Sequence, residues 1–191
     1  MDRDPEVFTQ MNDIQRASRM IYLNKTCYNG LYRVNRKGEF NAPYGKYTNP
    51  CIVDEAGIRA VHHFLNARPV KILNTDFELA VQGARAGDMV YFDPPYDPLS
   101  ESASFTAYQE CGFGRTEQRR LARVVNDLTR RGCRVMLSNS ATDFIRSLYK
   151  DYKIYRVSAT RRINSVGARR GEIDEVLVLN YSPENGQLIE L

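Results

Sequence analysis

Apolar positions follow two regimes along these 191 residues. Up to Leu23, and again from Asp54 onward, they recur with a helix or strand period. From Asn24 to Pro50 they do not. Asp4 before Pro5 reads as a helix start, an N-cap with proline at the first helical position. Val7, Met11, Ile14 and Ile21 follow at helical spacing, so the helix is expected to run to about Leu23. Residues 24–50 are dense in Asn, Gly, Pro and Tyr, which predicts a long ordered loop region. Loops of that length inside compact domains are usually functional.

Beyond that region Asp54 is placed to cap a helix over 54–65, and Val70-Lys71-Ile72-Leu73 reads as a short strand. A helix is expected over 77–84, and an apolar strand over 88–92 that stops abruptly at Asp93. Thr116 is expected to cap a long helix, 117–131, with Leu121, Val124, Val125 and Leu128 on one face. A strand over 134–138, a helix over 143–149 and a strand over 153–157 follow. Two further strands, 160–163 and 173–180, look antiparallel around a polar Gly/Arg loop. Strands alternating with helices predict an α/β fold, an open sheet with an antiparallel hairpin at its C-terminal end. A small helical and loop subdomain precedes it, and the chain divides into regions 1–66 and 67–191. In such sheets ligands bind outside the carboxyl ends of the strands. Three polar features are expected there: Asn74-Thr75-Asp76, Asp93 to Tyr96, and Ser138-Asn139.

Charge changes this picture mainly in the loop region. The net charge is only +4, but between Ile14 and Pro50 stand Arg16, Arg19, Lys25, Arg33, Arg36, Lys37 and Lys46 against the single acid Glu39. Tyr22, Tyr28, Tyr32, Tyr44 and Tyr47 are interleaved with them. Basic and aromatic residues together suit phosphate contact plus base contact; the same composition also fits a solvated basic face over an aromatic core. Cys27, Cys51, Cys111 and Cys133 make no C-x-x-C pair, so they read as reduced thiols of a cytoplasmic protein. Adjacent His62 and His63 point different ways on a helix, which argues against a shared metal. No apolar run approaches the roughly 18–20 residues of a membrane span. The N-terminus has neither the basic start nor the apolar core of a signal peptide.

The sharpest chemistry is Asp93-Pro94-Pro95-Tyr96 after the apolar strand. Each proline removes a backbone donor and fixes φ near −65°, so the turn is rigid and rich in carbonyl acceptors. The Asp93 carboxylate and the Pro94 carbonyl can take the two N–H bonds of a planar exocyclic amine. Those bonds favour a tetrahedral nitrogen whose lone pair can attack a methyl sulfonium. Tyr96 can stack on the attached base. No metal is needed. The plain alternative is an ordinary strand-to-loop turn capped by prolines.

Around this turn the chain resembles the DNA adenine-N6 methyltransferases of the GATC type, over residues 19–181. The runs Tyr22-Leu23-Asn24, Asn29-Gly30-Leu31-Tyr32-Arg33-Val34-Asn35 and Gly38-Glu39-Phe40-Asn41-Ala42-Pro43-Tyr44-Gly45-Lys46-Tyr47 resemble that family's target-recognition region. DPPY followed by Ser104-Phe105-Thr106-Ala107-Tyr108 is similar to its catalytic segment. Leu137-Ser138-Asn139-Ser140 and Arg161-Arg162-Ile163 resemble its later motifs. The resemblance implies a partial Rossmann-like methyltransferase sheet, with 1–66 as target-recognition region and 67–191 as catalytic region. It implies S-adenosylmethionine as methyl donor and N6 of an adenine flipped out of double-stranded DNA as acceptor. Asp93, Pro94, Pro95 and Tyr96 would be catalytic, and Asp76, Phe77 and Asp93 would bind the donor. For Asp76-Phe77, a helix cap plus a core phenylalanine is the competing reading. Tyr28 and Asn29 would border the gap left by the flipped base, and Leu31, Arg33 and Pro43 would contact the bases of GATC. Arg33 suits guanine, since guanidinium bonds bidentately to O6 and N7. Lys46 and Tyr47 would support DNA contact, Lys46 as a point charge where an arginine is expected.

The family also uses a glycine-rich loop, F-x-G-x-G, and an acidic residue for the donor's methionine and ribose. The present sequence carries neither. Gly112-Phe113-Gly114 follows no strand and is no substitute. The chain alone is therefore expected to transfer methyl groups slowly or not at all. A truncated or degenerate copy that binds DNA without catalysis is the alternative. Glutamine-amide or RNA methyltransferases are a more distant one, since they usually carry Asn in place of Asp93.

Overall fold

The computed structural model of the protein describes residues 9–35, 37–99, 113–160, 172–183 and 189–190. They form two compact units, divided between Ile72 and Leu73. The expectations placed on Asp4, Pro5, Val7, Arg36, Ser104 to Tyr108, Cys111 and Arg161 to Ile163 lie outside the described residues.

The first unit is built around helix α1, Asp13–Thr26. The helix expected to run to about Leu23 is interrupted at Met11 and Asn12, and α1 starts after Asn12. The Asn12 carboxamide accepts from Gln15 N–H at 3.0 Å, and the Gln15 side chain accepts from Asn12 N–H at 2.9 Å. This reciprocal capping box satisfies two donors that a helix start leaves open. The chain leaves α1 at Cys27 and makes a short 3-10 turn, Tyr28–Gly30. Helix α2, Glu55–Ala67, starts as expected from Asp54, whose carboxylate accepts from Gly57 N–H at 2.9 Å. The strand expected over 70–73 is not formed. Val70, Ile72 and Leu73 are exposed, and the described sheet contains no strand paired with them. A short apolar run carries a strand period but no information about a partner.

The second unit is a mixed α/β layer. Helix α3, Phe77–Ala80, is a single turn capped by Asp76, shorter than the expected 77–84. Strand β1, Met89–Phe92, lies parallel to β2, Arg134–Ser140. Helix α4, Arg115–Arg130, connects them, and helix α5, Asp143–Leu148, follows β2. Strands β3, Lys153–Thr160, and β4, Glu172–Leu179, form the expected antiparallel hairpin. The first arm is one strand from Lys153 to Thr160 rather than two. The two-residue strand β5, Ile189–Glu190, pairs with β3. The sheet order is β1-β2-β4-β3-β5.

Helix α4 buries Leu121, Val124, Val125 and Leu128, the face expected from spacing. They pack against Phe92, Val135, Leu137, Val176 and Val178 of the sheet and Ile145 and Tyr149 of α5. Its N-cap is Gly114, with no side-chain bond, and not Thr116. Starting two residues earlier puts Arg115 in the first turn, where it reaches Asp97. At the other end Gly132 takes φ +80°. Its N–H bonds Thr129 O, and Cys133 N–H bonds Leu128 O. This Schellman pattern closes the last carbonyls of α4 and turns the chain into β2.

Tyr149 is fully buried, and its hydroxyl finds no partner among the described residues. Burial, reinforced by nearby Tyr152, pushes the phenol well above its ordinary pKa. A buried hydroxyl left unbonded costs about 1–3 kcal/mol. Tyr149→Phe is therefore expected to leave the fold intact and raise stability by about 1 kcal/mol in urea denaturation. A loss of stability would show that the hydroxyl is bonded after all.

Candidate active site and basic loop

The β1 strand ends at Phe92, so Asp93 to Tyr96 stand at its carboxyl end, as expected. Asp93 is exposed. Its Oδ1 accepts from the Ser138 hydroxyl at 2.8 Å, and Ser138 Oγ accepts from the Tyr91 hydroxyl at 3.0 Å. Tyr91 thus acts through Ser138 to orient one carboxylate oxygen. Neither Asp93 Oδ2 nor the Pro94 carbonyl has a partner among the described residues, and these are the two acceptors that the sequence reading assigned to an exocyclic amine. Tyr96 is half-buried, with its hydroxyl 3.5 Å from Glu175 Oε2. Burial holds its phenol above the usual pKa; Glu175, Asp93 and Tyr91 add to this, while a bond with Ser138 opposes it. The ring therefore stays neutral at physiological pH.

Behind this turn lies a polar network that the sequence did not announce. Gln118 Nε2 donates to the Pro95 carbonyl at 2.7 Å, and Gln118 Oε1 accepts from Asn139 Nδ2 at 3.2 Å. Asn139 Oδ1 accepts from Asp97 N–H and from Ser140 N–H, both at 2.9 Å. The Asp97 carboxylate accepts from Thr142 Oγ1 at 2.8 Å and from Arg115 Nε at 3.1 Å. Thr142 also caps α5 by accepting from Ile145 N–H. Asp97, Gln118 and Asn139 are at most 2% exposed. Ser138 and Asn139 were expected at a strand end. They lie inside β2 instead, because pairing with β4 extends the ladder to Ser140 opposite Glu175.

Asp76 and Phe77 are not at a strand end, since among the described residues no strand precedes them. Asp76 Oδ1 caps α3 through Glu78 N–H, and Oδ2 bonds Arg120. The Arg120 bond, then the Glu78 amide, holds the Asp76 carboxyl below its ordinary pKa. The Arg120 guanidinium lies 4.2 Å over the Phe77 ring, whose neighbour Phe113 is 5.9 Å away edge-on. Both features of the helix-cap reading are thus present, since Asp76 caps α3 and Phe77 packs, partly buried, against the core. A cavity of about 630 Å³ next to them is lined by Glu78, Leu79, Arg120, Arg123, Asp127 and Arg131; no residue of the DPPY turn lines it. Among the described residues no group of three His, Cys, Asp or Glu is placed to hold a metal ion. No described helix is long and apolar enough to cross a membrane.

In the first unit Tyr28, Asn29, Leu31, Arg33, Pro43, Lys46 and Tyr47 are all exposed. Backbone bonds bring the two segments that hold them together. Tyr28 N–H bonds Pro43 O, Gly45 N–H bonds Thr26 O, and Cys27 pairs with Tyr44 in an antiparallel bridge. A Cβ at Gly45 would lie 2.8 Å from the Cys27 carbonyl, so only glycine permits this approach. Asn29 and Lys46 take φ +55° and +53°. For lysine that is an uncommon conformation, of the kind that clusters at functional sites. Buried Cys27, Phe40 and Ala42, packed with Leu23, anchor the segments to α1.

Residues 2–163 match the family described as D12 class N6 adenine-specific DNA methyltransferase. The chain belongs to that family. It is 46% identical over 180 residues to a Type II methyltransferase of Lactococcus lactis, covering 94% of this chain and 63% of that protein. It is 48% identical over 172 residues to a Type II methyltransferase of Methanocaldococcus jannaschii, covering 89% and 59%. A DNA adenine methylase of Escherichia coli is 39% identical over 184 residues, covering 93% and 63%. The chain spans about three-fifths of the length of these relatives.

Gln118, Thr142 and Arg115 were missed in the sequence because each looks like an ordinary helix-surface or helix-cap residue. The only hint was Gln118, a polar residue three positions before the apolar stripe that starts at Leu121. Gln118→Leu keeps volume but leaves the Pro95 carbonyl and Asn139 Nδ2 without their partner. It is expected to cost about 2–4 kcal/mol, since each orphaned buried group costs roughly 1–3. Chemical denaturation beside the exposed control Arg119→Leu checks this, and equal stabilities for the two would remove the network from the account.

Proposed function

We propose that this chain carries the target-recognition and catalytic parts of an enzyme that moves a methyl group from S-adenosylmethionine to N6 of adenine in double-stranded DNA, at GATC. Region 1–66 takes the recognition role and 67–191 the catalytic one. The observation that carries the reading is the acceptor pair after β1. Asp93 is oriented through Oδ1 by Ser138, while Oδ2 and the Pro94 carbonyl beside it have no partner among the described residues. An exocyclic amine has two N–H donors and meets two acceptors. Accepting both hydrogens draws the nitrogen lone pair out of the ring's π system and towards an electrophile. Pro95 is fixed by Gln118, and Tyr96 offers a neutral ring for stacking on an extruded base.

The donor supplies the electrophilic methyl group. Phe77 fits its adenosine end: a flat ring, already covered by the planar Arg120 guanidinium, accepts another planar group on its face. Asp76 adds a carboxylate held ionised by Arg120.

DNA recognition is assigned to the exposed set on the basic loop. Tyr28 and Asn29 border the extruded base, Leu31, Arg33 and Pro43 meet base edges, and Lys46 and Tyr47 support the backbone contact. Arg33 and Lys37 should differ. Arg33→Ala is expected to lose roughly 1–3 kcal/mol of binding and to relax discrimination at one base pair. Lys37→Ala should weaken all sequences alike and reduce the salt slope. Titration of GATC and singly substituted duplexes across a salt series checks both, and identical profiles for the two variants would contradict the assignment.

For catalysis the assay is tritiated methyl transfer to GATC duplexes by the chain joined to a family member's glycine-rich donor segment. Asp93→Ala should lower the rate at least about 100-fold, the scale of losing one preorganised polar contact to the reacting group. Tyr96→Ala should be impaired through lost stacking, and Tyr96→Phe should keep most of the rate. Undiminished transfer by Asp93→Ala overturns the mechanism.

A further inference from the structure

Arg33 stands on one arm of a small hairpin whose other arm carries Asn41. The arms are joined by the Val34–Phe40 bridge, by Asn35 N–H to Glu39 O and by Asn41 N–H to Arg33 O, both at 2.9 Å. Asn35 closes the tip: its Oδ1 accepts from Lys37 N–H and Glu39 N–H, and its Nδ2 donates to Glu39 Oε2 at 2.7 Å. Gly38 supplies the positive φ, +79°, that the tip needs. On either side of Asn41, Phe40 and Ala42 are buried against Cys27 and Leu23. The backbone at 41 is therefore fixed to α1 while the Asn41 side chain stays at the surface.

Across this hairpin the Arg33 side chain is held, among the described residues, by Asn41 alone. Nε donates to Asn41 Oδ1 at 2.8 Å, and Nη2 donates to the Asn41 carbonyl at 3.0 Å. A guanidinium has five N–H donors in a planar fork. These two bonds use its side edge, and they leave the end edge, one N–H on each Nη, without a partner among the described residues. That remaining pair is a parallel fork able to take two acceptors at once. Both partners are neutral, so the full positive charge is kept. The one carboxylate of the hairpin, Glu39, is engaged by Asn35.

We propose that Asn41 is a specificity-determining residue, which preorganises Arg33 so that its free end edge reads the O6 and N7 acceptors of a guanine. The proposal rests on the reading of Arg33 given above. A free arginine at a surface loop must lose its rotamer freedom when it binds, and it can spend its charge on any phosphate instead. Clamping its side edge removes most of that freedom beforehand and aims the remaining donors in one direction. Asn41 acts through Arg33 and is a positioning residue; its removal should reduce discrimination and not general attraction to DNA.

The test is fluorescence anisotropy of the full 191-residue chain with a GATC duplex and with duplexes changed one base pair at a time, at several salt concentrations. Asn41→Leu removes the Oδ1 acceptor at nearly constant volume. It should lose about three- to tenfold of the discrimination at the base pair that Arg33→Ala relaxes, the range set by ordering one long side chain. Its salt slope should stay unchanged. Asn41→Asp keeps the acceptor and should keep the discrimination ratio, even where its added charge weakens binding to every duplex equally. Arg33→Ala with Asn41→Leu should discriminate no worse than Arg33→Ala alone. Circular dichroism checks folding, and Asn41→Ser, too short to reach Nε, replaces Asn41→Leu if that variant does not fold. Full discrimination in Asn41→Leu and Asn41→Ser, with Arg33→Ala impaired, overturns the role of Asn41 and leaves the Arg33 reading standing. Full discrimination in Arg33→Ala overturns that reading and the proposal with it. A double variant worse than Arg33→Ala at the same base pair shows Asn41 acting independently and likewise overturns the proposal.

Discussion

Three polar side chains closed off from water, Asp97, Gln118 and Asn139, hold the turn that follows β1. Each comes from a different place: the end of the DPPY turn, the first turns of α4 and the interior of β2. Joined, they leave few orphaned groups, and a half-satisfied network would be worse than an apolar core. Gln118 alone fixes the Pro95 carbonyl and one amide hydrogen of Asn139. Arg115 shares the Asp97 carboxylate with Thr142, but its own side chain is 58% exposed. The ion pair is thus wet on one side, and the hydroxyl and amide bonds do more to fix Asp97 than the charge does.

This arrangement separates holding from reacting. Pro95 and Asp97 face inward to the network, while Asp93 and the Pro94 carbonyl keep acceptor capacity open. Two prolines limit backbone freedom from within the turn, and Gln118 and Asn139 limit it from outside. On the proposed function, a rigid acceptor pair would cost little reorganisation when an amine binds. Ser138 adds the last restraint, setting the rotation of the Asp93 carboxylate by one bond.

The basic loop solves a different problem with similar means. It has a very small core, Cys27, Phe40, Ala42 and Leu23, and relies on bonds to its own backbone and short polar side chains. Asn35 closes one tip, Gly45 allows one close approach, and Asn41 takes up Arg33. The large exposed tyrosines Tyr28, Tyr44 and Tyr47 are displayed on this frame rather than buried under it. These three tyrosines therefore do not form the core that composition alone left open for them.

Local chemistry made part of this readable in advance. Asp54 caps α2 and Asp76 caps α3, because an N-cap bond spans two or three residues. The stripe from Leu121 to Leu128 faces the sheet, because helical period is set by adjacent residues. The apolar run ending at Asp93 placed the DPPY turn at a strand end for the same reason. What failed or went unseen depends on residues far apart in the chain. Val70 to Leu73 has a strand's pattern, yet a strand exists only where a partner offers its backbone. Ser138 and Asn139 lie inside β2 because β4, some forty residues later, extends the ladder. Gln118 reads as a polar helix residue until the fold sets it against Pro95, 23 positions earlier. Sequence by itself determined the elements with short-range causes and the motif that names the chemistry. Tertiary structure decided which polar groups are buried together, since burial is a property of the packed layers and no single segment carries it.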